Sequence, residues 1–155
     1  MRITAKVDYA VRAMVAIAGH DRSAPGVPVK RDLLATGEGI PPAFLDDILR
    51  ALRNGELVKS QRGAEGGWRL ARPAAEITVA DIIRAVEGPL AAVRGVRPHE
   101  LVYEHGVAPL TRLWVSVRAS LRSVLEHVTV ADLVSGSLPP SVDRLADDPD
   151  AWAGH

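Results

Sequence analysis

The feature that most constrains this chain is a change of apolar spacing within its first 71 residues, from a helical period to two strand-like runs. Apolar residues recur every three or four positions over about residues 5–19, 29–36 and 43–54, which is the period of an α-helix with one buried face. Two short runs, 57–60 and 68–71, then flank a Gly-rich connection, and this pattern predicts a β-hairpin. The first unit is therefore expected to be three helices followed by a hairpin.

The second and third predicted helices are separated by a tight turn. Gly19 and Gly37 are expected to end the first and second helices, and Leu33 and Leu34 to face the core. Pro41 and Pro42 follow this turn and begin the third helix, because proline is tolerated in a first helical turn. Two short helices joined by a Gly-containing turn indicate a helix-turn-helix. The hairpin after it would be a wing, so the prediction is a mainly α, winged helix-turn-helix chain with a two-stranded β wing.

The second half of the chain predicts a long helix after an irregular stretch. A fourth helix is expected over about residues 79–87, where Thr78 and Asp81 resemble a capping box. From Pro109 onward, apolar residues keep helical spacing over about five turns, and such a helix needs a partner surface. The predicted organisation is a DNA-binding domain (residues 1–87), an effector loop (88–108), a long helix with a following short helix (109–134), and a flexible tail (135–155). The long helix would pack either on this chain's own core or, as a dimerisation helix, on a second subunit.

Charge and composition narrow the function. The formal net charge is zero, but residues 1–72 carry 12 Lys and Arg against 8 Asp and Glu, whereas residues 73–155 carry 7 against 11. The basic half is where nucleic acid would bind, although such an imbalance also arises by chance in a short window. Cysteine is absent, which excludes disulfides, thiolate catalysis and all-cysteine iron–sulfur clusters.

Other function classes lack their sequence signatures. The amino terminus has no signal-peptide core, and no run approaches the roughly 18 apolar residues that span a bilayer, so a cytoplasmic protein without a membrane partner is expected. No Ser/His/Asp order, phosphate loop or metal-hydrolase spacing is present. The chain is therefore not expected to be an enzyme.

Five segments carry a family resemblance: residues 1–4, 8–13, 45–58, 62–70 and 73–88. In their order and spacing the chain resembles the Rrf2 family of winged-helix regulators, of the IscR, NsrR and CymR type, as a cysteine-free variant. The resemblance implies a homodimer on a palindromic double-stranded DNA operator, with half-sites about 34 Å apart or a multiple of that. Many members hold an iron–sulfur cluster largely through three cysteines after the fourth helix. This chain is expected to be a repressor without such a cluster and with no cofactor.

Base contacts are expected from the start of the second helix of the motif, which enters the major groove. The candidates are Pro42, Ala43, Asp46 and Arg50. The carboxylate of Asp46 can accept from cytosine N4, or it can simply favour the positive end of the helix dipole. Phe44 falls on the apolar helical spacing and is expected to pack in the core.

Backbone contacts are expected mainly from the wing. Arg62, beside glycines, can enter a narrow minor groove, while Lys59, Gln61 and Arg69 can reach phosphates. Lys30 is either a phosphate anchor or a solvated residue. An ordinary solvated hairpin is the alternative reading of the wing.

The last candidates are the residues of the dimer interface and the possible metal ligands. The candidate dimer contacts are Leu110, Leu113, Trp114, Val117, Leu121 and Val124. Trp114 is alternatively a residue that stacks on a small-molecule effector. Asp8, His99 and His105 are the remaining candidate metal ligands, or are merely exposed. A protein–protein adaptor that has lost DNA binding is the alternative function.

Overall fold

A computed structural model of the chain describes residues 2–103, 107 and 109–154. Within these residues seven α-helices and two strands follow one another. Their bounds are α1 (Ala5–Ser23), α2 (Arg31–Glu38), α3 (Pro42–Asn54), β1 (Val58–Gln61), β2 (Gly67–Leu70), α4 (Val79–Glu87), α5 (Pro109–Leu125), α6 (Val130–Ser135) and α7 (Pro140–Ala146).

The strands form an antiparallel two-stranded sheet. Val58 lies opposite Leu70, and Gln61 lies opposite Gly67. The predicted mainly α fold, with a helix-turn-helix of α2 and α3 followed by a β wing, is confirmed. We define the wing as residues 58–70. Among the described residues, no helix is long and apolar enough to cross a membrane.

Helix α1 lies at the centre of the core and packs against α2, α3, α4, α6 and β2. Its Thr4 N-cap hydroxyl accepts a hydrogen bond from the Val7 amide, which satisfies one free donor of the first turn. Small residues let its neighbours approach closely, since Ala10 and Ala13 have no exposed surface. Each large apolar side chain that these neighbours bury contributes about 1.5–3 kcal/mol. The fully buried examples include Met14, Ile17, Leu45, Ile48, Leu49, Leu52 and Ile82.

Two helix ends differ from the sequence expectation. Helix α1 continues through Gly19 to Ser23, and α2 continues through Gly37 to Glu38. Gly39 caps α2 instead, because its left-handed backbone (φ 60°) lets its amide reach back to the last carbonyls. The expectation for Leu33 is also wrong. Its side chain is 63% exposed whereas Leu34 is 2% exposed, since neighbours about 100° apart on a short helix cannot both face one core.

The start of α4 agrees with the prediction. Thr78 and Asp81 form a reciprocal capping box. Thr129 and Asp132 form a second box at the start of α6, which the sequence analysis missed. An isolated antiparallel bridge joins Thr78 to Thr129, so the two capped ends are held side by side.

The segments around the long helix contain more order than periodicity suggests. Within the stretch 88–103, a 3₁₀ turn spans Pro98–Glu100, and Leu101 is 9% exposed. After α6, where a flexible tail was expected, α7 buries Val142 and a 3₁₀ turn spans Pro149–Trp152. Proline at the start of α7 and of that turn explains the local structure, since its fixed φ suits a first helical residue.

An isolated bridge between Val29 and Trp68 attaches the wing to the residues just before α2. The Val29 amide donates to the Trp68 carbonyl at 2.9 Å, and the Trp68 amide donates to the Val29 carbonyl at 2.8 Å. Gly67 permits this approach, because a Cβ atom there would lie 2.4 Å from the Val29 carbonyl oxygen. The wing is therefore placed by a contact that only glycine allows.

The substitution Gly67→Ala is expected to lower the free energy of unfolding by roughly 1–3 kcal/mol, because the new methyl group pushes the wing away from Val29. Urea unfolding measures the change. Gly19→Ala is the matched control, since no atom of a neighbouring described residue lies within 4 Å of a Cβ atom there and alanine favours a helix by roughly 0.5–1 kcal/mol. A Gly67→Ala protein as stable as the parent would contradict the tight approach.

Candidate nucleic-acid interface

Helix α3 has one buried face and one face in solvent. The buried face consists of Leu45, Ile48, Leu49 and Leu52. The solvent face carries the four predicted base-contact residues, which are all exposed: Pro42, Ala43, Asp46 and Arg50. Folding therefore brings these four side chains to one accessible surface, which extends from the start of the helix to Arg50.

Asp46 is held by an arginine from the preceding helix. Arg31 Nε donates to Asp46 Oδ1 at 2.6 Å, and Arg31 Nη2 donates to Asp46 Oδ2 at 2.7 Å. The same guanidinium donates to the Pro42 carbonyl at 3.3 Å and to Asp32 at 2.9 Å. The hydrogen bond from Arg31 lowers the pKa of Asp46 below its ordinary value. Arg31 thus ties the start of α2 to the start of α3.

Arg50 makes a weaker local pair. Its Nη1 lies 2.9 Å from Asp47 Oδ1, and both side chains are more than 60% exposed. An ion pair this exposed contributes little stability, so both groups remain accessible to a binding partner. Lys30 is also exposed and is the N-cap residue of α2, without a side-chain capping bond.

The wing presents Lys59, Gln61 and Arg62 to solvent. Arg69 differs from them, because it is only partly exposed and its buried Nε has no hydrogen-bond partner within the part of the chain that the structure describes. Lys59 and Arg69 are cross-strand neighbours, which places two cations side by side. The exposed Glu65 near the wing tip is the acidic residue of this hairpin.

An aromatic contact joins α1 to the start of α3. The rings of Tyr9 and Phe44 meet edge to face, with centroids 6.1 Å apart, and the Arg12 guanidinium lies 5.8 Å from the centre of the Tyr9 ring. Arg12 also donates to the Glu38 carbonyl at the end of α2. The core position expected for Phe44 is wrong, because 51% of the residue is exposed. Helical spacing alone did not reveal this surface cluster.

Helix α5 is unlike the other long helices, because no residue along it is buried. Of the six predicted dimer contacts, Leu113 is 50% exposed and the others are partly covered. Glu126, just after α5, pairs with Arg122 and with Arg84 of α4. Hydrogen bonds from both arginines lower the pKa of Glu126 to about 2. This charged contact fastens the carboxyl end of α5 to the core.

The Rrf2 family model, whose description is "Iron-dependent Transcriptional regulator", matches residues 3–136. Protein Rv1287 of Mycobacterium tuberculosis, which bears the name HTH-type transcriptional regulator, is 52% identical over 148 residues. That alignment covers 96% of this chain and 90% of the relative. The HTH-type transcriptional regulator CymR of Bacillus subtilis is 32% identical over 136 residues, with 87% and 91% covered.

Solved structures agree in fold. The CymR structure, described as that of the global cysteine regulator of B. subtilis, superposes with a TM-score of 0.71 at 31% identity. It covers 88% of this chain and 98% of its own. The IscR structure from T. potens has a TM-score of 0.68 at 30% identity, with 100% and 93% covered.

The family description names iron, but this chain offers few side chains that could bind it. The sequence contains no cysteine, and in the ranges 2–103, 107 and 109–154 no three His, Asp or Glu side chains form a metal site. Asp8 lies 3.5 Å from Arg12, and the exposed His99 lies 3.6 Å from Glu100. His105 lies outside the described residues. These residues do not fit a cysteine-ligated cluster.

The family model matches most of the chain, and the CymR and IscR structures share the fold of the chain. CymR is named an HTH-type transcriptional regulator. The chain belongs to the Rrf2 family and is a DNA-binding, HTH-type transcription regulator.

Proposed function

We propose that this regulator is a homodimeric repressor that recognises a palindromic operator through α3 and the wing. The observation that carries the proposal is the division of α3 into a fully buried face and an exposed face that carries the polar residues Asp46 and Arg50. A helix that packs in this way can enter the major groove while its buried face stays in the core. We infer no catalytic activity for the chain.

Asp46 is proposed to read a base while Arg31 holds it. An ionised carboxylate offers about four acceptor positions, and the bidentate contact from Arg31 uses one on each oxygen. The remaining positions can accept from a cytosine amino group. Because Arg31 already orients the carboxylate, little side-chain freedom is lost when DNA binds.

The homodimer is proposed to form along α5. A 17-residue helix without a single buried residue leaves apolar surface in water, and a partner helix would cover it. Leu113 is the most exposed member of the predicted seam at 50%. With the cluster ligands missing from the sequence, the regulator is proposed to respond to a small-molecule effector rather than to iron and sulfide.

Substitution of Arg62 tests DNA binding itself. Arg62→Ala is expected to weaken binding to a duplex selected from random sequence and to reduce the salt slope by about one, because one phosphate-neutralising charge is lost. Fluorescence anisotropy at two salt concentrations measures both quantities. The control Arg144→Ala removes the same charge from an exposed position on α7. If the parent protein shows no salt-sensitive binding, the adaptor function replaces this proposal.

Substitution of Asp46 separates base reading from support of the helix. Asp46→Ala is expected to relax the preference at one base pair of each half-site by about 1–3 kcal/mol. Arg31→Gln should relax the same preference by a smaller amount, since it loosens the carboxylate that reads the base but does not remove it. Asp47→Ala is the control on the neighbouring carboxylate. Competition against single-base operator variants measures the effect, and a uniform loss for Asp46→Ala would reduce Asp46 to a structural residue.

The dimer seam is tested by a charge on either side of α5. Leu113→Glu is expected to weaken dimerisation at least about 100-fold, because a carboxylate would be buried in an apolar interface. Val115→Glu is the matched control. Val115 is 41% exposed but lies about 160° away around the helix. Sedimentation equilibrium measures both variants. Equal dimerisation of the two variants would show that the seam lies elsewhere.

A further inference from the structure

A cleft of about 530 Å³ opens where the carboxyl-terminal end of α1, strand β2, the turn after it and α6 meet. No residue of α3 lines it, although it shares Arg69 and Leu70 with the wing. Its apolar floor is formed by Ala18, Leu70, Ala131 and Val134. This volume lies in the range of small-molecule sites, which is about 300–1,000 Å³.

Three arginines surround this apolar floor: Arg22, Arg69 and Arg72. Asp21 is the carboxylate of the lining, and its Oδ1 already accepts a hydrogen bond from the Gly26 amide at 3.3 Å. The cleft therefore has an excess of positive charge, which favours an anionic occupant.

The arginines also have unused hydrogen-bonding capacity. Arg69 Nε is buried and has no partner among the described residues, and an unpaired buried donor is unfavourable. Arg72 has a carboxylate of Asp81 3.5 Å away, but its side chain is 41% exposed, so this pair is weak. Because Arg69 Nε is itself buried, a ligand in the open cleft would reach the terminal nitrogens of the arginines instead.

We propose that this cleft binds a small organic carboxylate that carries an apolar chain. Arginine forks bind carboxylates through two parallel hydrogen bonds, and the alanine, leucine and valine floor would cover the chain. An inorganic oxyanion would match the arginines but leave the floor unused. A neutral apolar compound would match the floor but leave the excess positive charge of the arginines uncompensated.

A ligand bound in the cleft would affect the wing through β2. Arg69 and Leu70 both line the cleft and both belong to this strand. A carboxylate that engages Arg69 removes it from DNA phosphates, so ligand and operator compete for one side chain. This step rests on the proposed function, whereas binding in the cleft does not.

Isothermal titration calorimetry of the full chain tests the site with butanoate, hexanoate and octanoate, and with 1-hexanol and inorganic phosphate for comparison. Affinity is expected to rise about fourfold for each methylene that becomes buried. Hexanol and phosphate are expected to bind at least about tenfold more weakly than hexanoate, because each lacks one half of the recognition. Absence of hexanoate binding, or affinity independent of chain length, would overturn the proposal.

Two variants place the site. Arg22→Gln is expected to weaken hexanoate binding about tenfold through loss of a charge-assisted contact, and Ala131→Leu should weaken it by filling the floor. Arg144→Gln removes an equal charge from α7, outside the cleft, and should leave binding unchanged. If Arg22→Gln and Arg144→Gln behave alike, the carboxylate binds elsewhere and the assignment of this cleft is wrong.

Anisotropy with operator DNA tests the coupling separately. A hexanoate concentration that just saturates the parent is expected to weaken its DNA binding several-fold. The same concentration is expected to leave the DNA binding of Ala131→Leu nearly unchanged. Hexanoate binding without a change in DNA affinity would overturn the competition for Arg69 and leave the cleft as a carboxylate site. If the parent fails to bind DNA at all, the regulatory function fails, while calorimetry still decides the cleft.

Discussion

Burial of helix α1 is the constraint on which the rest of the structure depends. Five other elements pack against this helix, and its alanines at positions 10 and 13 are fully buried. Because alanine projects nothing beyond Cβ, the neighbouring backbones can approach the helix closely. The helix-turn-helix, the wing and α6 are thereby placed on one shared support, so the accessible face of α3 is presented from a rigid base.

Polar contacts then set the orientation of α2, α3 and the wing relative to α1. The Arg31–Asp46 contact spans 15 residues of sequence and is bidentate, and the Val29–Trp68 bridge spans the whole helix-turn-helix. Neither contributes much burial. Each specifies geometry, because two parallel hydrogen bonds allow only a narrow range of positions. The proposed DNA-binding surface is thus oriented by a few directional contacts that lie outside the apolar core.

Helix α5 contrasts with this rigid part. It buries no residue, and its charged contact with α4 through Glu126 lies near its carboxyl end. Few apolar contacts mean low local stability, which suits an element that completes its packing with a second subunit. The arginine-lined cleft involves other elements, namely the end of α1, β2 and α6. Dimerisation is therefore proposed to involve α5, and ligand binding to involve β2 and α6.

The sequence by itself determined most elements of the winged helix-turn-helix and the long helix, but not α7. Apolar periodicity placed α1, α3 and α4, the Thr78 capping box placed a helix start, and the glycines between the strands indicated the wing. These signals are local, since each depends on residues within one or two turns. Only the tertiary structure decided which partners meet: Arg31 with Asp46, Tyr9 with Phe44, and Arg69 with the cleft. Such contacts join residues distant in sequence, and no spacing rule encodes them, because their geometry follows from how the helices pack on α1.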